Sequence, residues 1–233
     1  MKPSIRTPFF EIGTKNYIYG DTLLEYAKAA DAAAAKYDID VLFITSPIEI
    51  RRVAENTKNL IILAPYMDTL YPGRGMADIL PEGLKAAGAK GVVVNHSEKP
   101  MSLPAIKDTI DRANELDFLV FACADTIAEA KAIAHLNPDI INSEPSELIG
   151  GTDVSDMSYV LESIKVIKAI NPEILVEQAA GITNGQQVYD FIMAGSDAAG
   201  SASGIMNAED PLAMIDEMIA AMRRAADDLK ARG

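Results

Sequence analysis

"GVVVNHSEKPMSLPAIKDTIDRANELDFLVFAC", residues 91–123, holds one complete strand–helix–strand repeat. The valine run of 91–96 and the apolar run of 117–123 are continuous rather than alternating, so each strand needs cover on both faces. Between them Leu103, Ile106, Ile110 and Ala113 recur at helical spacing. A strand, a helix and a second strand in that order imply a parallel pair joined by a right-handed crossover.

The same rhythm extends in both directions. Strand-like runs occur at 6–13, 40–45, 59–65, 91–96, 117–123, 139–144, 173–179 and, with small residues only, 197–203. Helical segments are predicted at 21–37, 76–88, 103–116, 126–136, 154–170, 183–195 and 210–229. A doubly wound open sheet would carry a glycine-rich phosphate turn after its first strand, and the segment GTKNYIYG (13–20) has none. Eight strand units in 233 residues instead predict an α/β fold, a single-domain (β/α)8 barrel spanning residues 1–233, with no linker or composition break.

Composition narrows the function. A formal charge of −13 opposes binding to extended polyanions, so no nucleic-acid partner is expected, although backbone amides and one lysine can still hold a small phosphate. The lone cysteine, Cys123, excludes an internal disulfide and fits a reducing compartment. The N-terminal stretch MKPSIRTPFF lacks the apolar core of a signal peptide, and no apolar run approaches the roughly 18 residues of a membrane span. A cytoplasmic protein without a membrane partner is the expectation.

In such a barrel the chemistry collects at the C-terminal strand ends. Lys15 follows strand one; Asn95, His96, Ser97 and Glu98 follow strand four; Cys123 and Asp125 end strand five; Glu144 ends strand six. Each also has a structural reading: a hydrogen-bonded histidine, a solvated loop carboxylate, a surface lysine, a packed thiol. His135 falls at the opposite face, where it reads as a cation at a helix C-terminus. The loop PSELIGGTD after Glu144 begins at a proline and closes on two glycines, as a water-excluding lid would. The small-residue loops QAAGITNG (178–185) and GSASGIMN (200–207) would let backbone amides approach a phosphate. Together these groups suit proton transfer next to a carbonyl on a small phosphorylated sugar. His96 with Glu98 lacks a second histidine, so neither a metal nor another cofactor is expected.

In these motifs the chain resembles triosephosphate isomerase, especially the short archaeal-type members. TKNYIYG (14–20), NHSE (95–98) and EPSELIG (144–150) are similar to the family's lysine, histidine and glutamate-lid motifs, and AAGITNG (179–185) and SASGI (201–205) to its last two phosphate loops. The resemblance implies Glu144 as the base, His96 as a neutral electrophile and Lys15 as the stabiliser of negative charge. It implies Gly13, Thr14, Lys15, Ile149, Gly150, Gly181, Ala202 and Ser203 around the substrate and its phosphate. Asn95, Glu98 and Cys123 would be supporting residues, and the chain would form a homodimer or homotetramer, with 66–83 as a contact segment. One departure stands out: Gly13 occupies the position where the family has an asparagine, which removes an amide and predicts extra room. That room leaves open an isomerase for a four-carbon ketose phosphate, and a non-catalytic sugar-phosphate-binding homologue remains a third reading.

Overall fold

The computed structural model describes residues 1–145, 148 and 155–232. Eight parallel strands close into a barrel in sequential order: β1 (Phe9–Gly13), β2 (Val41–Ile44), β3 (Leu60–Ala64), β4 (Gly91–Val94), β5 (Leu119–Ala124), β6 (Ile140–Ser143), β7 (Leu175–Gln178) and β8 (Ala198–Ser201). Closure is direct, since β1 pairs on one side with β2 (Ile12 opposite Phe43) and on the other with β8 (Glu11 opposite Gly200). Almost every strand residue is buried because one face packs inside the barrel and the other under helices. This is why the strands read as unbroken apolar runs.

Two apolar cores result. Phe9, Leu42, Leu63, Val93, Phe121, Cys123, Ile140 and Ala198 fill the barrel interior. A larger shell lies between sheet and helices. The helices are α1 (Gly20–Tyr37), α2 (Ile50–Asn56), α3 (Pro81–Ala87), α4 (Leu103–Glu115), α5 (Ile127–Ala134), α6 (Met157–Ile170), α7 (Gly185–Met193), α8 (Ser203–Met206) and α9 (Pro211–Arg232). The long α1 packs against α9 and buries Leu23, Ala27, Ala30 and Ala34, small side chains that allow close approach.

Three elements differ from the sequence expectation. The helix expected over 76–88 begins only at Pro81, because proline is suited to the first helical position and Leu80 before it is held extended. Both α2 and α8 are additional; each is too short to show helical periodicity above its loop.

The lower rim, at the N-terminal strand ends, is clamped by three aspartates that each directly precede a strand. Asp40 accepts from the Arg6 backbone amide at 2.8 Å and from Arg6 Nε at 2.9 Å. Asp139 accepts from Lys2 Nζ at 2.6 Å and from the Val120 amide at 2.7 Å. Asp197 accepts from the Val176 amide at 2.9 Å and pairs with Lys168 at 2.7 Å. No helix among the described residues is long and apolar enough to cross a membrane.

Candidate active site

At the C-terminal strand ends the barrel opens into a cavity of about 300 Å³, lined among others by Lys15, His96, Glu98 and Glu144. Three strand ends thus bring together the residues singled out in the sequence. Each is held by its local structure.

Glu144 is the first residue beyond β6, and its backbone amide continues the ladder by donating to Ala124 O at 3.0 Å. It is only 6% exposed. Burial pushes its carboxyl up to about 7, against the opposing pull of the Lys15 cation and a hydrogen bond with Asn142. A carboxylate in that range can both take and return a proton near neutral pH.

His96 stands on a braced turn. Asn95 takes the left-handed conformation (φ 61°) that asparagine tolerates. Its amide donates to Cys123 O at 3.1 Å and to Glu129 Oε1 at 2.9 Å, while its Oδ1 accepts from the Met101 amide at 2.9 Å. The Glu98 amide donates to His96 Nδ1 at 3.1 Å. An accepting Nδ1 carries no proton, so the neutral ring bears its hydrogen on Nε2. Burial lowers the imidazole pKa, and the neighbouring Lys15 cation lowers it further. Lys15, itself in a left-handed turn (φ 45°) just after β1, pairs through Nζ with Glu98 at 3.2 Å.

Gly181 after β7, and Ala202 and Ser203 after β8, line the same cavity, as does Gly13. Ile149 and Gly150 lie outside the described residues. Thr14 takes no part in the lining: it is fully buried, and its hydroxyl donates to Ile44 O at 3.1 Å, tying β1 to β2. Cys123 packs in the barrel interior, where burial pushes its thiol well up, so it stays protonated. His135 is an exposed residue at the C-terminus of α5, away from the mouth.

The expected room at Gly13 is not empty. A side chain there would meet Glu11 Oε1 at 3.1 Å and the Ala202 methyl at 3.6 Å, so a carboxyl from the same strand face occupies part of the space. Glu11 is one of several lining residues that sequence reasoning passed over, with Asn142, Tyr66 and Lys99. Lys99 Nζ lies 4.8 Å from the centre of the Tyr66 ring. Glu11 and Asn142 did carry a signal: each lies two residues before a residue already singled out, Gly13 and Glu144, and strand period two puts such pairs on one face. Tyr66 and Lys99 sit in loops and carried none.

The sequence matches the family model described as triosephosphate isomerase over residues 12–218. Similar proteins include the triosephosphate isomerases of Methanothermus fervidus, 32% identical over 87% of this chain and 92% of that protein, and of Methanobacterium bryantii, 35% identical over 88% and 92%. That of Methanocaldococcus jannaschii is 34% identical over 88% of this chain and 95% of its own length.

Proposed function

The chain belongs to the triosephosphate isomerase family, and from that premise we propose that its barrel mouth interconverts dihydroxyacetone phosphate and D-glyceraldehyde 3-phosphate with Glu144 as base. The observation that supports these roles is a buried carboxyl of pKa about 7 sharing one cavity with a neutral histidine and a lysine. The Glu144 carboxylate takes a proton from the carbon beside the carbonyl, and the electron pair of that C–H bond moves into an enediolate. The Nε2–H of His96 hydrogen-bonds the oxygen where charge develops, and Lys15 offsets the negative charge of enediolate and phosphate. The hydroxyl proton on the carbon that lost its hydrogen passes by way of His96 Nε2 to the former carbonyl oxygen, and returning the proton from Glu144 to the adjacent carbon closes the new carbonyl and completes the isomerisation. This division of labour is the one established for triosephosphate isomerases generally. Backbone amides near Gly181, Ala202 and Ser203, together with those of Ile149 and Gly150 in the sequence after Glu144, outside the described residues, would hold the phosphate. Asn95 and Glu98 would act through His96 and Lys15, by fixing the turn and holding the cation.

Glu144→Gln keeps the shape of the side chain and removes the base. In a coupled assay with glyceraldehyde 3-phosphate it should lower kcat by about 10³-fold. Equal turnover by the variant and the wild-type protein would reject the assignment. The Glu11 carboxyl beside Gly13 takes up part of the room on which a four-carbon substrate was predicated.

The segment 66–83 is the proposed self-association surface of a homo-oligomer. It exposes Tyr71 (60%) and Met76 (101%), large apolar side chains that an isolated subunit would leave in water. One free, buried cysteine fits a reducing compartment such as the cytoplasm, and the chain reads as one barrel domain throughout.

A further inference from the structure

Two carboxyl groups inside the barrel have no part in the chemistry above. Glu11 points inward from β1 and Glu177 from β7, and β8 runs between those strands. At that point β8 carries Gly200, the register partner of Glu11. A Cβ on Gly200 would collide with Glu11 Oε2 and with Glu177 Oε1 together. The two carboxyls therefore converge in the space that this glycine leaves open.

Their surroundings differ. Glu177 is fully buried, and neither of its oxygens has a hydrogen-bond partner among the described residues. Asn142, its register neighbour on β6, also has a buried Oδ1 without a partner among those residues. Glu11 reaches upward instead: it lines the floor of the mouth cavity beside Gly13. Two buried carboxylates this close cannot both be ionised. A proton on the pair relieves the repulsion and supplies a donor for oxygens that otherwise have none.

We propose that Glu11 and Glu177 form a proton-sharing carboxyl pair beneath the mouth, with Glu11 presenting a neutral hydrogen-bonding carboxyl to an oxygen of the sugar-phosphate substrate and Glu177 acting as its positioning residue. This rests on the isomerase reading above, and it gives the floor of the site a specificity contact that the three catalytic groups do not supply. Burial and the charge of Glu144 push Glu11 up to about 8, and burial pushes Glu177 well above the carboxylate range. The other titratable groups facing Glu11 are Lys15 beyond β1, Glu144 beyond β6 and Cys123 on β5; β2, β3, β4 and β8 present Leu42, Leu63, Val93 and Ala198. Below about pH 8 Glu11 keeps its proton and is neutral. Above it, a negative charge appears next to Glu144 and under the developing enediolate, where it opposes the reaction.

The test compares the full-length wild-type protein with Glu11→Gln, Glu11→Leu and Glu177→Gln from pH 6 to 10. Wild-type kcat/KM should fall by about tenfold per pH unit once Glu11 ionises, and Glu11→Gln, which cannot ionise, should lack that fall. Glu11→Leu, which offers no hydrogen bond, should raise KM by about tenfold at pH 7. A change in folding alone would not remove one limb of a pH profile. Infrared difference spectra supply a readout without turnover: the protonated-carboxyl band should weaken in both Glu11→Gln and Glu177→Gln. An alkaline limb shared by wild type and Glu11→Gln, or a band that neither glutamine variant alters, would overturn the proposal. So would a thermal upshift with Mg²⁺, Mn²⁺ or Ca²⁺ that disappears in Glu11→Gln, because the pair would then hold a cation instead of a proton. Absence of wild-type turnover would overturn the isomerase reading instead, and the infrared band would still decide whether the pair holds a proton.

Discussion

Glu144 owes its pKa to burial, and that burial costs the fold stability. As the proposed base it must be ionised to act, so kcat/KM should fall by about tenfold per pH unit below the Glu144 pKa of about 7. His96, whose pKa burial holds below the ordinary 6.5, is neutral at pH 7, where Glu144 begins to ionise. The same shift has a stability counterpart. The folded pKa is raised above the ordinary 4.5, so the native state binds more protons than the unfolded chain between those values. Stability is present in full below pH 4.5 and is lost as pH rises through about 7. Glu144→Gln should therefore be the more stable protein at pH 8, by on the order of 2 kcal/mol or about 5 °C in Tm, and show little difference at pH 4. Calorimetry at the two pH values checks this; a Tm difference independent of pH would contradict the linkage. Glu144 and His96 were legible in the sequence because each breaks abruptly from an apolar strand. Glu177 was hidden for the opposite reason: it sits within a strand run, and only barrel closure shows that Gly200 on β8 leaves room for it beside Glu11.

At the scale of elements, the strands were legible because burial on two faces leaves an unbroken apolar run, whereas helix ends depended on single caps. Asn184 is such a cap. Its Oδ1 accepts from the Gln187 amide at 3.0 Å, and Gln187 reaches back through Oε1 to the Thr183 amide at 2.7 Å. This reciprocal pair starts α7 and orders the loop carrying Gly181 at the mouth. Asn184→Ala should lower unfolding stability by about 1 kcal/mol and, in steady-state kinetics, raise KM more than it lowers kcat. The reverse pattern would separate the cap from the proposed phosphate loop. Between β4 and β5 the contact is of backbone on backbone: a Cβ on Gly91 would lie 2.5 Å from Leu119 O. Neither strand can yield without opening the barrel, so Gly91→Ala should cost about 3 kcal/mol in denaturant unfolding. A cost below half of that would mean the strands separate more freely than their packing implies.

Across the whole molecule, the eightfold rhythm predicted closure, but how the exposed parts are held was not readable, because it depends on contacts between distant segments. Arg112 on α4 is an example. Nearly buried, it pairs with Glu82, lies 3.1 Å from Glu115, and stacks its guanidinium 4.1 Å from the Tyr71 ring centre. That anchor holds 66–83 in place partly through the Tyr71 ring, which still leaves more than half of Tyr71 and all of Met76 in water. Replacing both exposed residues, Tyr71→Asp with Met76→Asp, should shift sedimentation velocity toward a single 25.0 kDa species. An unchanged distribution would reject 66–83 as the proposed self-association surface. The aspartate clamps of the lower rim carry a different consequence. Asp40, Asp139 and Asp197 fasten the barrel at the pole opposite His96 and Glu144, so mutations that retune the mouth leave the fastenings untouched. The architecture divides its mutational tolerance between two poles, and the upper one is free to evolve on a chassis held shut from below.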